Sequence, residues 1–413
     1  MSLARFFKFI TYIRILLYIL AFILGLYLIQ VFTTQNPPVE TFQPSTLPWY
    51  KYPHASISHL QSSRHNTVHL SQLERERLSQ RMVQRAQQVV RQEFMPTGIR
   101  GSIYKDDLKG SAAFRELVDC WTNGSWVQGQ PSFTMSHFQD PLYGYCDRKH
   151  KKMHPTEPRP ATQYKWQSSC PMALVNVSRW CEVLNGHHLL LVGDLVQYQL
   201  HEVFLDTLRE GPAICFGELN CKDHTLCNGD TRLRYLRNDV LSVRRKMNYN
   251  DGQPIANVIE WPFTSSSLMR RYPTVILNRA PVLETDEDFM KGLIRTLKTM
   301  RKQNPDALII YRSTGIGHPF CDEATEPLTE MLNDNELKEL PFGWSEVQRR
   351  NAIARVIIEG AGGLFVDLAK VTDVRPDGHV GGQDCLRYCI PGPLDGWAQI
   401  LYQVFLGLEG KHV

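Results

Sequence analysis

The feature that most constrains the fold is the alternation of short apolar runs with amphipathic segments after about residue 185. The apolar runs predict strands, and they lie at 188–192, 255–259, 274–277, 307–311 and 364–368. Apolar residues at helical spacing predict helices, and these lie at 195–208, 285–303, 345–358 and 394–408. Strands separated by helices are typical of a mostly parallel sheet that is covered on both faces. We therefore predict an α/β fold.

The carboxyl ends of the predicted strands carry polar residues. In a parallel sheet, functional side chains gather beyond these ends. The ends are Gly193-Asp194-Leu195, Asn278 and Tyr311-Arg312-Ser313. We expect the functional site of the domain to be built around them.

An apolar run near the N-terminus predicts a membrane anchor. Residues 15–32 contain Gln30 as their only strongly polar member, and a helix of this length spans a bilayer. The cations that precede the run are Arg5, Lys8 and Arg14. Because such cations stay in the cytosol, we expect a single-pass type II protein whose C-terminal domain lies across the membrane. A cleaved signal peptide is the alternative, but the polar segment 33–38 that follows lacks the small residues of a cleavage site.

Composition excludes two classes of protein. Hydrophobic residues make up 43% of the chain and charged residues 21%, which is close to the globular average, so the chain is not disordered overall. Its 46 Lys and Arg residues against 42 Asp and Glu residues give a net charge of +4, and three of those cations precede the anchor. The nearly neutral remainder does not indicate a basic patch, so we expect no nucleic-acid partner.

The ten cysteines all lie between positions 120 and 389, outside the predicted anchor. An even number in one non-cytosolic region predicts disulfides, and the sequence lacks the paired CxxC spacing of a zinc site, so we expect no metal. Cys321 and Cys385 lie in loops expected above the same sheet edge, and we predict that they are bonded to each other. Two glycosylation sequons are also present, at Asn123 and Asn176.

The chain divides into a cytosolic tail, an anchor, a stem and one large domain, at residues 1–14, 15–32, 33–99 and 100–413. Within the stem, Ser71 and Glu74 have the spacing of a capping box that opens a helix over about 71–94. The apolar stripe of this helix consists of Leu78, Met82, Ala86, Val89 and Phe94. Such a stripe either self-associates as a short coiled coil or packs on the domain, and both alternatives remain open.

Several ordered motifs resemble those of one known family. The segment Leu189-Leu-Leu-Val-Gly-Asp-Leu195 is similar to the strand-to-helix Gly-Asp-Ser turn of the GDSL/SGNH hydrolases. Val275-Ile-Leu-Asn278 is similar to their block with an oxyanion asparagine, and Gln383-Asp-Cys-Leu-Arg-Tyr-Cys-Ile-Pro-Gly-Pro393 to their terminal Asp-x-x-His block. With Cys120-Trp-Thr-Asn-Gly-Ser-Trp126, these motifs resemble the trichome birefringence-like, or PC-esterase, family of Golgi polysaccharide O-acetyltransferases and its fungal relatives.

The resemblance implies a fold, a location and roles for particular residues. The fold would be a three-layer α/β/α SGNH-like parallel sheet with an N-terminal cysteine-containing lobe, in a protein of the Golgi or another secretory-pathway membrane. Gly193 and Asn278 would form the oxyanion region, and Asp194 would be mainly a structural partner. His379 and His318 lie on loops expected to border the same cleft, and either is an alternative base for direct transfer to a sugar hydroxyl.

The chain departs from the family pattern at two coupled positions. Leu195 stands where the family has its nucleophilic serine, and Arg387 stands where it has a histidine three residues after Asp384. Leucine has no nucleophilic atom and arginine stays protonated, so the acyl-serine mechanism is absent. We expect Asp384 to pair with Arg387 or with a nearby backbone group instead.

Three functions remain in view from the sequence. The two losses favour a non-catalytic protein that binds glycans or regulates a partner. The otherwise complete motif pattern keeps an acyl- or glycan-modifying enzyme with an altered mechanism in consideration, and a membrane scaffold is the third alternative. We expect no cofactor, and an acetyl donor is needed only by an active enzyme. The expected partners are the lipid bilayer, a polysaccharide or other glycan, and a second copy of the chain through the stem helix.

Overall fold

The computed structural model describes Tyr18, Leu20, Leu24 and residues 69–129, 145–209, 220–250, 258–340, 343–382 and 384–410. Residues 50–413 form one compact unit, separate from residues 1–49, and every helix and strand from Gln72 onward belongs to it. The predicted cytosolic tail and the stem as far as residue 68 lie outside the described residues, as does the predicted anchor apart from three helical, exposed positions.

The predicted single-pass membrane location is corrected by the structure. In the part of the chain that the structure describes, no helix combines the length and the apolar character needed to cross a membrane. The longest helix in the main unit has 22 residues, but glutamate and arginine recur along it. The most apolar long helix, at the C-terminus, has 15 residues, whereas a membrane-spanning helix takes about 20.

The main unit alternates helices and strands. Its α-helices are α1 (Gln72–Glu93), α2 (Leu108–Thr122), α3 (Tyr145–Met153), α4 (Val177–Leu184), α5 (Leu195–Leu208), α6 (Ser266–Arg271), α7 (Asp286–Gln303), α8 (Asp334–Lys338), α9 (Val347–Gly360), α10 (Ala369–Thr372) and α11 (Leu394–Leu408). Its strands are β1 (Gly124–Gln128), β2 (Tyr164–Ser168), β3 (Leu189–Gly193), β4 (Asn220–Leu226), β5 (Thr231–Arg237), β6 (Asn248–Asn250), β7 (Val258–Glu260), β8 (Thr274–Leu277), β9 (Leu308–Arg312), β10 (Leu364–Val366), β11 (His379–Gly381) and β12 (Asp384–Tyr388).

Six strands form the central sheet, in the order β10-β9-β8-β3-β5-β4. Strands β10, β9, β8, β3 and β5 are parallel, which confirms an α/β fold. The edge strand β4 runs antiparallel to β5, so the sheet is mostly parallel, as predicted, with one antiparallel edge. The reason is a short connection at 227–230, since strands joined by so few residues can pair only in opposite directions.

Both faces of the sheet are covered by helices. Leu189 and Leu191 of β3 belong to a core shared with α5 and α11, whereas Leu190 and Val192 belong to a core shared with α7 and α9. Successive side chains of a strand point to opposite faces, which explains the division. Because each layer of helices buries one face, the central strands are apolar throughout.

The predicted strand at 255–259 lies partly outside the described residues, which omit 251–257. Its described end belongs to β7, which pairs antiparallel with β6 in a separate two-stranded sheet. A short apolar run predicts a strand but does not identify the strand's partner.

Helix α1, assigned to the stem from sequence, packs on the domain. Ala86 is fully buried, and Met82, Val89, Val90 and Phe94 pack against the core that contains α7 and α9. The capping box of Ser71 and Glu74 is present. Of the two alternatives for its apolar stripe, the structure therefore shows packing on the domain.

Four disulfides lie among the described residues, and they connect distant segments: Cys120–Cys170, Cys146–Cys389, Cys181–Cys227 and Cys321–Cys385. The last is the pair expected from sequence, with a Cα–Cα distance of 5.6 Å. Cys120–Cys170 joins α2 to the segment after β2, and this part of the chain forms the N-terminal lobe with the β1–β2 sheet. The Cys146–Cys389 bond ties α3 of that lobe to the end of β12.

Candidate functional site

The site begins where β3 turns into α5. Asp194 is the N-cap of α5, and its Oδ1 accepts hydrogen bonds from the backbone N–H groups of Val196 and Gln197, each at 3.0 Å. Leu195 is therefore the first residue of the helix, at the place where a side chain projects past the end of the sheet. It presents only hydrocarbon there.

Asn278 holds this turn from the neighbouring strand. Its Oδ1 accepts a hydrogen bond from the backbone N–H of Asp194 at 3.1 Å. A Cβ atom at Gly193 would lie 2.5 Å from the same oxygen, so the close approach requires glycine. The Nδ2 of Asn278 donates to the Thr314 hydroxyl at 3.4 Å and to the Arg279 carbonyl at 3.3 Å. The Asn278 amide nitrogen, which was expected to face an oxyanion, thus contacts protein acceptors in this conformation.

A buried arginine lies beneath the turn. Arg312, at the end of β9, is 1% exposed, and its Nε donates to Gln197 Oε1 at 2.9 Å. Its Nη2 lies 3.4 Å from Asp194 Oδ1, and its guanidinium group lies 4.8 Å from the ring centroid of Trp397. Burial lowers the pKa of Arg312, and the nearby Asp194 opposes this shift. The arginine compensates the charge of the buried Asp194 and fixes the start of α5.

Strand β12 carries the second half of the site. Asp384 Oδ1 accepts the backbone N–H of Arg387 at 3.0 Å, and its Oδ2 accepts the guanidinium Nε of the same residue. The expected Asp384–Arg387 pairing is confirmed. The Asp384 carboxylate therefore binds a permanent cation.

Helix α5 and β12 are joined by a side-chain amide. Gln199 accepts the backbone N–H of Tyr388 at 2.9 Å through Oε1 and donates to the carbonyl of Tyr388 at 2.5 Å through Nε2. Gln199 lies one turn beyond Leu195, and Tyr388 directly follows Arg387. The structure thus brings positions 195 and 387 onto neighbouring, hydrogen-bonded elements.

The two candidate bases form a buried pair. His318 is fully buried and His379 is 6% exposed, and their Nδ1 and Nε2 atoms lie 2.7 Å apart. The other nitrogen of His318 lies 2.9 Å from the carbonyl of Asp373, and that of His379 lies 3.2 Å from the carbonyl of Arg387. Burial lowers the pKa of His318 to about 4 and the pKa of His379 well below its ordinary value. Both rings are therefore neutral at pH 7.

Proton counting assigns the hydrogen bonds of this pair. Two neutral rings supply two N–H groups for three contacts, and a carbonyl oxygen only accepts. The two shorter contacts are made when His379 Nε2 donates to His318 and His318 Nε2 donates to the Asp373 carbonyl. His379 Nδ1 then carries the remaining lone pair, and it faces the carbonyl of Arg387. The pair is thus directed at the protein rather than at an open cleft.

Comparison with known proteins gives two distant similarities. No protein-family model matches the chain. Xyloglucan O-acetyltransferase 2 of Arabidopsis thaliana is 27% identical over 95 residues, which are 21% of this chain and 23% of that protein. Protein trichome birefringence-like 25 of the same plant is 24% identical over 153 residues, which are 29% of this chain and 33% of that protein. The distant relatives of this chain are thus a protein named as a xyloglucan O-acetyltransferase and a trichome birefringence-like protein.

These similarities are partial in extent. The chain spans about a quarter to a third of the length of the curated relatives it matches. They support, at low identity, the resemblance that the motifs indicated.

The two sequons lie at helix ends. Asn123 is exposed after α2, and its Oδ1 accepts a hydrogen bond from Lys370 at 2.9 Å. Asn176 caps α4, and its Oδ1 accepts the backbone N–H of Arg179 at 2.9 Å. Both bonds use the side-chain oxygen, whereas a glycan attaches to the nitrogen. Glycosylation of both residues stays a prediction.

One group of side chains among the described residues has the proximity of a metal site. It consists of Cys321, Asp322 and Cys385. The two sulfur atoms are bonded to each other, so they offer no thiolate to an ion. This cluster is accordingly a disulfide beside a carboxylate.

Sequence reasoning missed two polar supports of the site, Gln197 and Gln199, and it named Arg312 only as a strand end. Gln197 and Gln199 are fully buried, and Arg312 is 1% exposed. Each of the three binds a residue far away in the chain. The available signal was the presence of two glutamines within the apolar helix at 195–208. A glutamine at a core position needs buried partners, but its position alone does not name them.

Proposed function

We propose that the chain is a polysaccharide acetyltransferase-like protein of the SGNH type that binds glycans and forms no acyl-serine intermediate. Its distant relatives include a protein named as a xyloglucan O-acetyltransferase, which supports a glycan as the ligand class. The observation that carries the proposal is the first residue of α5. Leu195 occupies the nucleophile position while the turn around it, built by Gly193, Asp194 and Asn278, is intact.

The chemistry of the neighbouring residues supports the loss of acyl transfer. An acyl-serine route needs a hydroxyl to form the ester bond and a base to remove its proton. Leu195 supplies no hydroxyl. Arg387 is bound to Asp384 as a cation and accepts no proton.

The alternative is direct transfer from an acetyl donor to a sugar hydroxyl, with His379 or His318 as the base. Both rings are buried, and their nitrogen atoms face each other and two backbone carbonyls. A base must come within hydrogen-bonding distance of the proton that it removes. This arrangement favours the binding protein over the altered enzyme.

The test incubates the purified chain with acetyl-CoA and a panel of neutral plant and fungal cell-wall oligosaccharides. We expect calorimetry to detect binding of an oligosaccharide and mass spectrometry to detect no added acetyl group. A mass gain that requires the protein would contradict the loss of catalysis. Absence of binding across the panel would contradict a glycan ligand.

A further inference from the structure

A cavity of about 330 Å³ lies apart from Leu195, between the β1–β2 sheet, α3 and the start of α11. Its lining includes neither Leu195 and Asn278 nor the Asp384–Arg387 pair. The volume is at the lower end of the range for small-molecule sites, which run from roughly 300 to 1,000 Å³. The cavity is therefore large enough for one sugar ring.

One wall of the cavity is aromatic. Trp126 and Trp166 are directly opposed in the β1–β2 register, with ring centroids 5.7 Å apart and an edge-to-face arrangement. Tyr164, two positions along the same register and opposite Gln128, also lines the cavity. Trp126 and Tyr164 are partly exposed. An aromatic ring has an electron-rich face, which attracts the C–H groups on one side of a pyranose.

The aromatic wall is held in place from behind. The guanidinium group of Arg375 lies 4.3 Å from the ring centroid of Trp126 and 5.3 Å from that of Tyr164. Arg375 is fully buried, and its Nε and Nη2 donate to the two carboxylate oxygens of Asp377 at 2.7 and 2.8 Å. Both rings are thus fixed before a ligand arrives, and such preorganisation reduces the entropic cost of binding.

The charged side chains of the lining carry no excess of either sign. Asp147, Glu157 and Asp395 face the cavity together with Lys151, Arg159 and Lys165. Asp147 and Arg159 neutralise each other at 2.6 Å. The amides of Gln163 and Gln399 add neutral hydrogen-bonding groups. This lining matches the hydroxyl groups of an uncharged sugar and gives no advantage to an acidic one.

Two contacts attach the elements around the cavity to the segment next to the candidate site. Arg159 donates to the carbonyl of Pro391, and Cys146 is bonded to Cys389. Both contacts attach the N-terminal lobe to the segment that directly follows β12. A ligand held here would lie beside the strand that carries Arg387.

We propose that this cavity binds one sugar ring of a neutral pyranose oligosaccharide, stacked on Trp126 and Tyr164. The proposal rests on the proposed function, because it assigns a place to the glycan binding stated there. It adds the site, the uncharged class of ligand and the residues that select it.

The test titrates the full chain with cello-, xylo- and manno-oligosaccharides and, as an acidic comparison, with oligogalacturonides. Calorimetry gives the affinity, and tryptophan fluorescence reports on Trp126 and Trp166. We expect Tyr164→Ala to weaken binding of the best neutral ligand by about tenfold or more. Tyr164→Phe keeps the ring, so its affinity should stay within about twofold of that of the natural chain. Asp395→Asn should weaken binding without removing an aromatic group.

The matched control is Phe320→Ala, which removes a 38% exposed aromatic side chain outside the cavity and should leave affinity unchanged. Thermal unfolding of every variant shows that the fold is retained.

If a neutral oligosaccharide binds and neither Tyr164→Ala nor Asp395→Asn weakens its binding, the cavity assignment is overturned while the proposed function stands. If oligogalacturonide binds more tightly than every neutral ligand, the assignment is also overturned. If no oligosaccharide binds the natural chain, the proposed function itself fails.

Discussion

At the scale of single residues, the turn before α5 is held by hydrogen bonds, and the side chain that follows it is apolar. Asp194 caps α5 and Asn278 holds the turn, and under the proposed function Leu195 and Arg387 stand where an acyl-serine enzyme would have its nucleophile and base. Once position 195 has no hydroxyl, a base at 387 has no proton to accept. The Asp384–Arg387 ion pair is a stable arrangement of the carboxylate that remains.

The first residue-scale prediction concerns reactivity. The double change Leu195→Ser with Arg387→His should restore measurable reaction with an activated acetyl ester, because the histidine would also release Asp384 from its ion pair. Each single change should do so poorly, since serine needs its base and the base needs its nucleophile. Release of the leaving group from p-nitrophenyl acetate is the measurement.

The control for this experiment is Leu195→Ala with Arg387→His, which supplies the base without the hydroxyl. The natural chain should remain unlabelled by a fluorophosphonate probe. Strong, saturable labelling of the natural chain at one residue would reveal a different nucleophile and reject this account of position 195.

The second residue-scale prediction concerns pH. Burial lowers the pKa of His318 to about 4, from an ordinary value of about 6.5 in an unfolded chain. Below pH 6.5 the unfolded chain gains a proton that the folded chain does not, so folding should lose stability as the pH falls from about 6.5 to about 4. For one such group the loss approaches about 1.4 kcal/mol per pH unit and reaches about 3 kcal/mol in total.

Urea unfolding of the natural chain and of His318→Gln at several pH values between 7 and 4 measures this slope. The variant should show a shallower decline over that interval. Equal slopes for the natural chain and His318→Gln would refute a buried neutral His318.

At the scale of secondary-structure elements, α1 shows how a helix can be identified correctly and placed incorrectly. The sequence predicted its capping box and apolar stripe, and the structure has the helix at Gln72–Glu93. The sequence did not predict the partner of the stripe, because the complementary surface on α9 comes from residues far away in the chain. A fully buried Ala86 and the close fit of Val90 onto Gly360 identify the partner.

The prediction at this scale concerns that contact. A Cβ atom at Gly360 would lie 2.1 Å from Val90 Cγ1, so Gly360→Ala should destabilise the fold by about 1–3 kcal/mol through overpacking. Val90→Ala removes the colliding methyl group, so the double variant should be more stable than the sum of the two single effects predicts. Chemical denaturation of the four proteins measures this coupling. Strict additivity would show that α1 does not contact α9 in solution.

At the scale of the whole molecule, the predicted framework and the observed one agree where apolar runs are buried on both sides. Strands β3, β8, β9 and β10 and helices α5 and α11 correspond to predicted segments, because continuous burial leaves a continuous apolar run. Strand β5 was missed because arginines alternate with Leu233 and Tyr235 along it. The partners of Asn278 and Gln199 could not be predicted, since they depend on contacts between elements distant in sequence.

The prediction at this scale concerns the boundary of the domain. A chain that starts at residue 100, the boundary expected from sequence, lacks α1 and exposes the core side chains that α1 covers. Compared with a chain that starts at residue 69, it should unfold at a temperature at least several degrees lower or fail to stay soluble. Differential scanning calorimetry of the two chains makes the comparison. Equal unfolding temperatures would show that α1 contributes nothing to the core.

Strand β12 is fastened covalently near both of its ends. Cys385, its second residue, is bonded to Cys321, and Cys389, directly after Tyr388, is bonded to Cys146. The central strands β3, β5, β8, β9 and β10 contain no cysteine. Reducing agents would therefore remove both covalent attachments of the strand that carries position 387, leaving its pairing with β11 and its hydrogen bonds to Gln199. Protein prepared with reduced thiols would hold position 387 less firmly, so a negative assay on such material would report on oxidation state as well as on the residues of the site.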